Sequence, residues 1–160
     1  MMVEIDQQMH LLFNKGPDLI VVPVGVGSLA HAVVTYYKQE EHSCTILAVE
    51  PENAACLMTS LVKGQITTVN TVDTSMCGMN CGTVSFTAWP HLRRGIDACV
   101  TVTDIGAKDA HAILRKQGVD VGPCAAATLA ALQKVCEHDK DQLHLTEDSY
   151  VVLLATEGPR

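Results

Sequence analysis

The sequence has few charged and few aromatic residues. Asp, Glu, Lys and Arg make up 18% of its 160 residues, and aromatic residues 4%. Apolar residues account for 48%, which excludes an intrinsically disordered chain and favours one domain with a well-buried core. Basic residues are outnumbered 11 to 18 and form no cluster, so the net charge of −7 argues against a nucleic-acid-binding surface.

One stretch without any charged residue, from Leu19 to Tyr37, approaches the length of a membrane span. A proline, two glycines, a serine and a histidine interrupt this stretch and place a turn at its centre. A buried strand followed by a buried helix therefore explains it better than a membrane span.

The seven cysteines are odd in number and lie mostly in apolar settings. This usage predicts a reduced, cytoplasmic protein in which cysteine serves as a small apolar residue. The spacing of Cys77 and Cys81 is not that of a zinc site. Cys124, which follows Gly122-Pro123 at a predicted helix N-terminus, is either a thiol of lowered pKa or, more often in such a place, a packing residue.

Strand-like and helix-like segments alternate along the chain. The residues of 18–24 form a continuous β-branched run, typical of a parallel strand covered on both faces. The alternation predicts an α/β domain with a mainly parallel sheet and flanking helices. The predicted strands cover 18–24, 44–51, 97–104 and 150–156, and the predicted helices 3–14, 29–40, 53–63, 86–94, 107–118 and 122–135.

A glycine-rich turn, Gly25-Val26-Gly27-Ser28, joins the first strand to the next helix, and three interpretations are open. In the first interpretation, the glycines serve the geometry of the turn alone. The pattern Gly25-x-Gly27-x-x-Ala30, with Glu50 placed 20 residues further on, also satisfies a dinucleotide-binding fingerprint. The third interpretation is a single phosphate group, held by backbone N–H groups, the Ser28 hydroxyl and the helix dipole.

Four segments, in order, resemble one family over nearly the whole chain: PDLIVVPVGVGSLAHAVV, ILAVEPENAACLMTSLVKGQI, MCGMNCGTVSFTAWPHL and VVLLATEG. They are similar to the C-terminal part of diaminopropionate ammonia-lyases, which are fold type II (tryptophan-synthase-β-like) pyridoxal-phosphate enzymes. The resemblance implies pyridoxal 5′-phosphate as cofactor and α,β-elimination from a small amino acid to a keto acid and ammonia. The expected partners are a small amino-acid substrate and either a second copy of the chain or a complementing chain, with no nucleic acid and no membrane.

The resemblance also assigns roles to residues of this chain. The loop Gly25, Val26, Gly27, Ser28 and Leu29 would hold the cofactor phosphate. Thr156 would meet the pyridine nitrogen, and its alternative is an ordinary strand-terminal threonine. Gly78 would let the backbone approach the ring, and its alternative is a plain loop glycine.

Members of this family form a Schiff base with a lysine in their N-terminal half, which the sequence does not match. We therefore expect residues 1–160 to be the C-terminal portion of such a lyase domain, inactive alone. Family members also carry an aspartate base near the position of Val3, and valine cannot replace it. The alternatives are a non-catalytic paralogue that binds a phosphate ligand or partner chain, and an NAD-type dinucleotide-binding domain.

All seven lysines lie in polar settings or at helix ends: Lys15, Lys38, Lys63, Lys108, Lys116, Lys134 and Lys140.

Overall fold

A four-stranded, entirely parallel sheet forms the centre of the protein. The computed structural model describes residues 1–39, 44–139 and 141–159. The strands are β1 (Leu19–Pro23), β2 (Thr45–Pro51), β3 (Ala98–Val102) and β4 (Val151–Leu153), in the order β3-β2-β1-β4. The predicted α/β class with a mainly parallel sheet is confirmed.

Six α-helices flank the sheet within the described residues. They are α1 (Met2–Phe13), α2 (Ser28–Tyr37), α3 (Cys56–Lys63), α4 (Trp89–Gly95), α5 (Asp104–Lys116) and α6 (Pro123–His138). Short 3-10 turns cover Glu52–Ala54 and Cys77–Met79.

Alternate residues of the central strand β1 point to opposite layers. Leu19 and Val21 pack in one core with α5 and α6, whereas Ile20 and Val22 pack in the other with α2, α3 and α4. All five residues of β1 are fully covered, as expected of a strand with helices on both faces. Burial on both faces explains why the sequence of β1 is a continuous apolar, β-branched run.

Several predicted boundaries are wrong by three residues or more. The helix predicted from 86 begins at Trp89, the helix predicted to end at 135 continues to His138, and three further cases follow. The helix predicted from 107 begins at Asp104, because the Thr103 hydroxyl accepts the N–H of Gly106. The helix predicted from 53 is divided: a 3-10 turn precedes α3, which starts at Cys56. The strand predicted over 150–156 is only three residues long, because the backbone beyond Leu154 bonds to the start of α6, where the Glu157 carbonyl accepts the N–H of Gly122.

Predictions on Glu40, Lys140 and Arg160 lie outside the described residues. Among the helices that the structure describes, none is long and apolar enough to cross a membrane.

Candidate functional site

A cleft of about 370 Å³ opens beyond the carboxyl ends of β1 and β4. The structure brings together on its wall all seven residues that the sequence analysis assigned to a site. These are Gly25, Val26, Gly27, Ser28, Leu29, Gly78 and Thr156. Four residues that were not assigned complete the wall: Pro23, Met79, Cys124 and Glu157.

The two glycines of the loop after β1 are required for different reasons. A Cβ on Gly25 would lie 2.9 Å from the carbonyl oxygen of Gly78, so residue 25 must lack a side chain for the two loops to meet. Gly27 has a φ of +96°, a left-handed conformation, and a Cβ there would lie 2.6 Å from Cδ1 of Leu92 on α4. The loop is therefore held against the 3-10 turn on one side and against α4 on the other.

Helix α2 points its N-terminus at this loop. Gly27 is the N-cap residue and Ser28 the first helical residue; no side chain caps this end, and the first turn has no acidic residue. The first N–H groups of a helix lack intrahelical acceptors, and the helix dipole adds positive potential. The end of α2, lined by the Ser28 hydroxyl and a loop without side chains at two positions, fits a phosphate group.

Another part of the cleft wall is formed at the N-terminus of α6. The carboxylate of Glu157 accepts the N–H of Cys124 at 2.6 Å, and the Glu157 carbonyl accepts the N–H of Gly122 at 3.1 Å. Burial and the adjacent Glu157 carboxylate raise the pKa of the Cys124 thiol to about 11. Cys124 is therefore a packing residue, and the alternative of a lowered pKa is wrong.

Thr156 reaches the cleft because the chain continues to follow β1 beyond β4. The N–H of Leu154 donates to the carbonyl of Val21 at 3.0 Å, which keeps the next residues beside the end of β1. Thr156 is exposed on the cleft wall, next to the anchored Glu157. The terminal Thr-Glu-Gly segment thus contributes two adjacent wall residues, of which the sequence analysis identified one.

Glu50, the candidate ribose-binding acid, does not reach the cleft. Its side chain is completely buried, and its two oxygens accept the N–H groups of Leu57 and Met58 at 2.7 and 2.8 Å. Burial raises the pKa of this carboxyl, against the opposing effect of the two backbone donors. Glu50 therefore caps the N-terminus of α3 and is not available to bind a ribose. The dinucleotide alternative loses the acidic residue on which it depends.

No lysine that the structure describes lies on the cleft wall. Lys15 pairs with Asp18 and Lys38 with Asp97, while Lys134 donates to the carbonyl of Thr101. The remaining described lysines lie on α3 and α5: Lys63, Lys108 and Lys116.

The described residues contain no cluster of three or more His, Cys, Asp or Glu side chains arranged for a metal ion. His31 on α2 and His91 on α4 stack with ring centroids 4.1 Å apart, which helps to join the two helices.

The sequence profile of one family, described as "Pyridoxal-phosphate dependent enzyme", matches residues 1–157. The chain belongs to this family. Among its curated relatives, the diaminopropionate ammonia-lyase of Salmonella typhimurium is 29% identical over 98% of this chain and 43% of its own length. The biosynthetic L-threonine dehydratase of Mycobacterium leprae is 30% identical over 74% of this chain and 29% of its own length. The chain thus spans less than half the length of either relative.

Solved structures give the same fold. A threonine deaminase from Solanum lycopersicum aligns with a TM-score of 0.85 and 26% identity, covering 99% of this chain and 43% of that one. The Escherichia coli diaminopropionate ammonia-lyase, solved in complex with an aminoacrylate-PLP azomethine reaction intermediate, aligns with a TM-score of 0.82 and 26% identity. That alignment covers 95% of this chain and 41% of the other. The sheet and its helices therefore form part of a tryptophan-synthase-β-like fold, and pyridoxal 5′-phosphate is the cofactor that the family implies.

Proposed function

We propose that this chain supplies the cofactor-binding wall of a pyridoxal-phosphate-dependent ammonia-lyase site. The substrate would be a small amino acid with a β-leaving group, such as 2,3-diaminopropionate, and the products a keto acid and ammonia. The observation that carries the proposal is the cleft itself. A loop that lacks side chains at Gly25 and Gly27 faces it together with an uncapped helix N-terminus, and Gly78 and Thr156 line the same cleft.

In this proposal, each residue of the wall has a defined task. The backbone N–H groups of residues 25–29 and the Ser28 hydroxyl bind the phosphate. The Thr156 hydroxyl meets the pyridine nitrogen, and Gly78 leaves room for the ring. The bound cofactor would supply an electron sink for loss of the α-proton and the β-substituent. A hydroxyl at residue 156, rather than a carboxylate, leaves the pyridine nitrogen largely unprotonated and so moderates that sink.

We further propose that residues 1–160 correspond to the C-terminal portion of such a lyase domain and do not catalyse the elimination alone. The reaction needs an amine to hold the cofactor and to take the α-proton. Within the described part of the chain, the cleft wall carries no lysine. The lysine would come from a complementing segment of the same fold, on this or another polypeptide.

Binding of the cofactor can be tested directly with Trp89, the one tryptophan of the sequence. Trp89 begins α4, the helix whose Leu92 contacts the phosphate loop. Titration with pyridoxal 5′-phosphate is expected to change Trp89 fluorescence saturably, and inorganic phosphate is expected to compete. Ser28→Ala removes one donor to a charged group and is expected to weaken binding about tenfold, whereas Ser149→Ala in a distant loop leaves it unchanged. Saturable quenching by NAD with no response to pyridoxal 5′-phosphate would contradict the proposal.

A second assay separates binding from catalysis. The purified chain is mixed with pyridoxal 5′-phosphate and 2,3-diaminopropionate, and keto-acid release is compared with the rate of the free cofactor. We expect the two rates to be equal. Faster release with the protein would overturn the proposed inactivity while leaving the cofactor site intact.

Exposed apolar side chains on α1 favour a second candidate function, a non-catalytic module that associates with another chain. Leu11 is 85% and Leu12 69% exposed, and Phe13 next to them is 45% exposed. Such residues side by side are typical of a surface that another protein covers. Sedimentation of the wild-type chain and of Leu11→Lys tests this candidate, which predicts a self-associating wild type and a monomeric variant.

A further inference from the structure

A second cavity of about 270 Å³ lies between the first two turns of α5 and the start of α6. It is separate from the cofactor cleft but shares two structural elements with it. The segment that carries Ser75 on this cavity carries Gly78 on the cleft, and Pro123 on this cavity precedes Cys124 on the cleft. Its volume lies just below the usual range of small-molecule sites, about 300 to 1,000 Å³, and suits a ligand of few non-hydrogen atoms.

Asp104 places a fixed negative charge at this cavity. Its Oδ1 atom accepts three hydrogen bonds, from the hydroxyl of Thr74 and from the N–H and hydroxyl of Ser75, at 2.6, 3.0 and 2.8 Å. These donors, Thr74 first, lower the pKa of Asp104, so the carboxylate is ionised. No hydrogen bond within the described residues uses its Oδ2 atom, which leaves that oxygen available to a ligand.

Lys108 places a positive charge one helical turn further along α5. Residues four apart on a helix are neighbours and often pair, yet no ion pair joins Lys108 to Asp104 or to any other residue that the structure describes. Asp104 is instead turned toward Thr74 and Ser75. His111 lines the cavity beyond Lys108, with Nε2 3.9 Å from the carboxylate of Asp120.

The rest of the cavity lining is apolar. Ile105, Ala107 and Pro123 supply it, and the Ile105 side chain is 73% exposed although it lies beside this opening. The negative Asp104 and the positive Lys108 lie on one rim and face an aliphatic surface. This arrangement matches a ligand that carries an ammonium group and a carboxylate close together, and an aliphatic side chain. A simple anion would meet Asp104 unfavourably, and a simple cation would meet Lys108 unfavourably.

We propose that this second cavity binds a small aliphatic α-amino acid, with its ammonium group at Asp104, its carboxylate at Lys108 and its side chain against Ile105, Ala107 and Pro123. The ligand would lie behind the wall of the cofactor cleft, outside the cleft itself. This inference does not depend on the proposed lyase function.

Calorimetric titration of the purified chain tests the proposal with three probes. L-Valine carries all three features, 3-methylbutanoate lacks the ammonium group, and isobutylamine lacks the carboxylate. We expect saturable binding of L-valine and binding about tenfold or more weaker for each of the other two, because each loses one charge-assisted interaction. Equal binding of the three probes, or no saturable binding of L-valine, would overturn the proposal.

Variants locate the site. Asp104→Asn keeps an oxygen for Thr74 and Ser75 but removes the charge, and Lys108→Met keeps the length of the side chain. Each is expected to weaken L-valine binding about tenfold, whereas Lys116→Met, in the last turn of the same helix, is expected to have no effect. Unchanged binding by Lys108→Met would contradict the assignment.

A competition experiment distinguishes the two cavities. L-Valine is titrated again in the presence of pyridoxine 5′-phosphate, which keeps the ring and phosphate of the cofactor but has no aldehyde to condense with L-valine. Continued binding at a concentration that saturates the Trp89 response supports a second site; if that compound gives no Trp89 response, the Asp104 and Lys108 variants decide where L-valine binds. Displacement of L-valine in strict competition would place it in the cofactor cleft and overturn the inference.

Discussion

The carboxyl group of Glu157 occupies the space that a side chain on Gly122 would need. A Cβ built on Gly122 lies 2.5 Å from Cδ of Glu157 and 2.6 Å from its Oε2 atom. The same Oε2 atom accepts the N–H of Cys124. The end of the Thr156-Glu157 segment and the start of α6 are thus fitted to each other across one wall of the cleft.

Gly122→Ala is therefore expected to displace the Glu157 carboxylate and to lower the free energy of unfolding by about 2 kcal/mol, the value of a hydrogen bond to a charged group. The backbone at residue 122, with φ −82°, tolerates alanine, so the cost comes from Glu157. Urea unfolding of Gly122→Ala, Glu157→Ala and the double variant measures the coupling. In the Glu157→Ala background, the alanine at 122 is expected to cost little; a cost of the same size would show that Glu157 is not the cause.

Gly27→Ala is expected to destabilise the protein more than Gly64→Ala. Both glycines have positive φ, +96° and +68°, but only a Cβ at residue 27 meets a neighbour, Leu92. Left-handed backbone alone costs roughly 1 to 2 kcal/mol, and overpacking adds a similar amount or more. We expect a loss of about 1.5 kcal/mol for Gly64→Ala and about 3 kcal/mol for Gly27→Ala in chemical denaturation. Equal losses would mean that α4 moves away from the loop without cost.

Glu50 is expected to make the protein less stable as the pH rises. Burial raises its folded-state pKa above the ordinary value of 4.5, so its favourable contribution is complete below pH 4.5 and is lost as the pH rises through the folded-state pKa. Glu50→Gln loses one acceptor for the α3 amides but does not titrate. The stability advantage of the wild type over Glu50→Gln should therefore shrink between pH 4.5 and pH 8, measured by urea unfolding at each pH. A constant difference would contradict the raised pKa.

Exposed cysteines are expected to react with a thiol reagent faster than buried ones. Cys77 and Cys136 are exposed, whereas Cys44, Cys56 and Cys124 are buried, and burial raises their pKa to about 12, 12 and 11. At pH 8, iodoacetamide followed by mass spectrometry should label the first two well before the other three, because the thiolate is the reacting form. Rapid labelling of Cys124 would mean that the wall of the cleft opens.

The features that the sequence predicted depend on short-range patterns. The β-branched run of β1 and the Gly25–Ser28 turn are contiguous, so the strand, the glycine-rich turn and the helix after it could be predicted. The placement of Thr156 in the cleft came from a family resemblance, because the hydrogen bond that holds its segment against β1, from Leu154 to Val21, joins residues more than 130 positions apart.

The acidic residues Glu50 and Glu157 show what the sequence could not indicate. Glu50 lies near the end of β2 and Glu157 lies four residues after β4, places where an acid often faces a ligand. Each instead caps a helix N-terminus. Only the three-dimensional position of those helix ends decides between the two roles. A signal for Glu157 was present, since Gly122-Pro123 marks a helix start that needs an acceptor, but the sequence does not show which residue supplies it.

The place of the cleft follows from a reversal in the direction of winding. From β1 through α2, β2 and α3 to β3, the chain moves outward along one face of the sheet. It then crosses to the other face with α5 and α6 and returns on the far side of β1 as β4. Helices on either side of such a reversal diverge and leave a crevice above the strand ends. A chain that wound in one direction only would carry the same Gly25–Ser28 turn with no crevice beneath it.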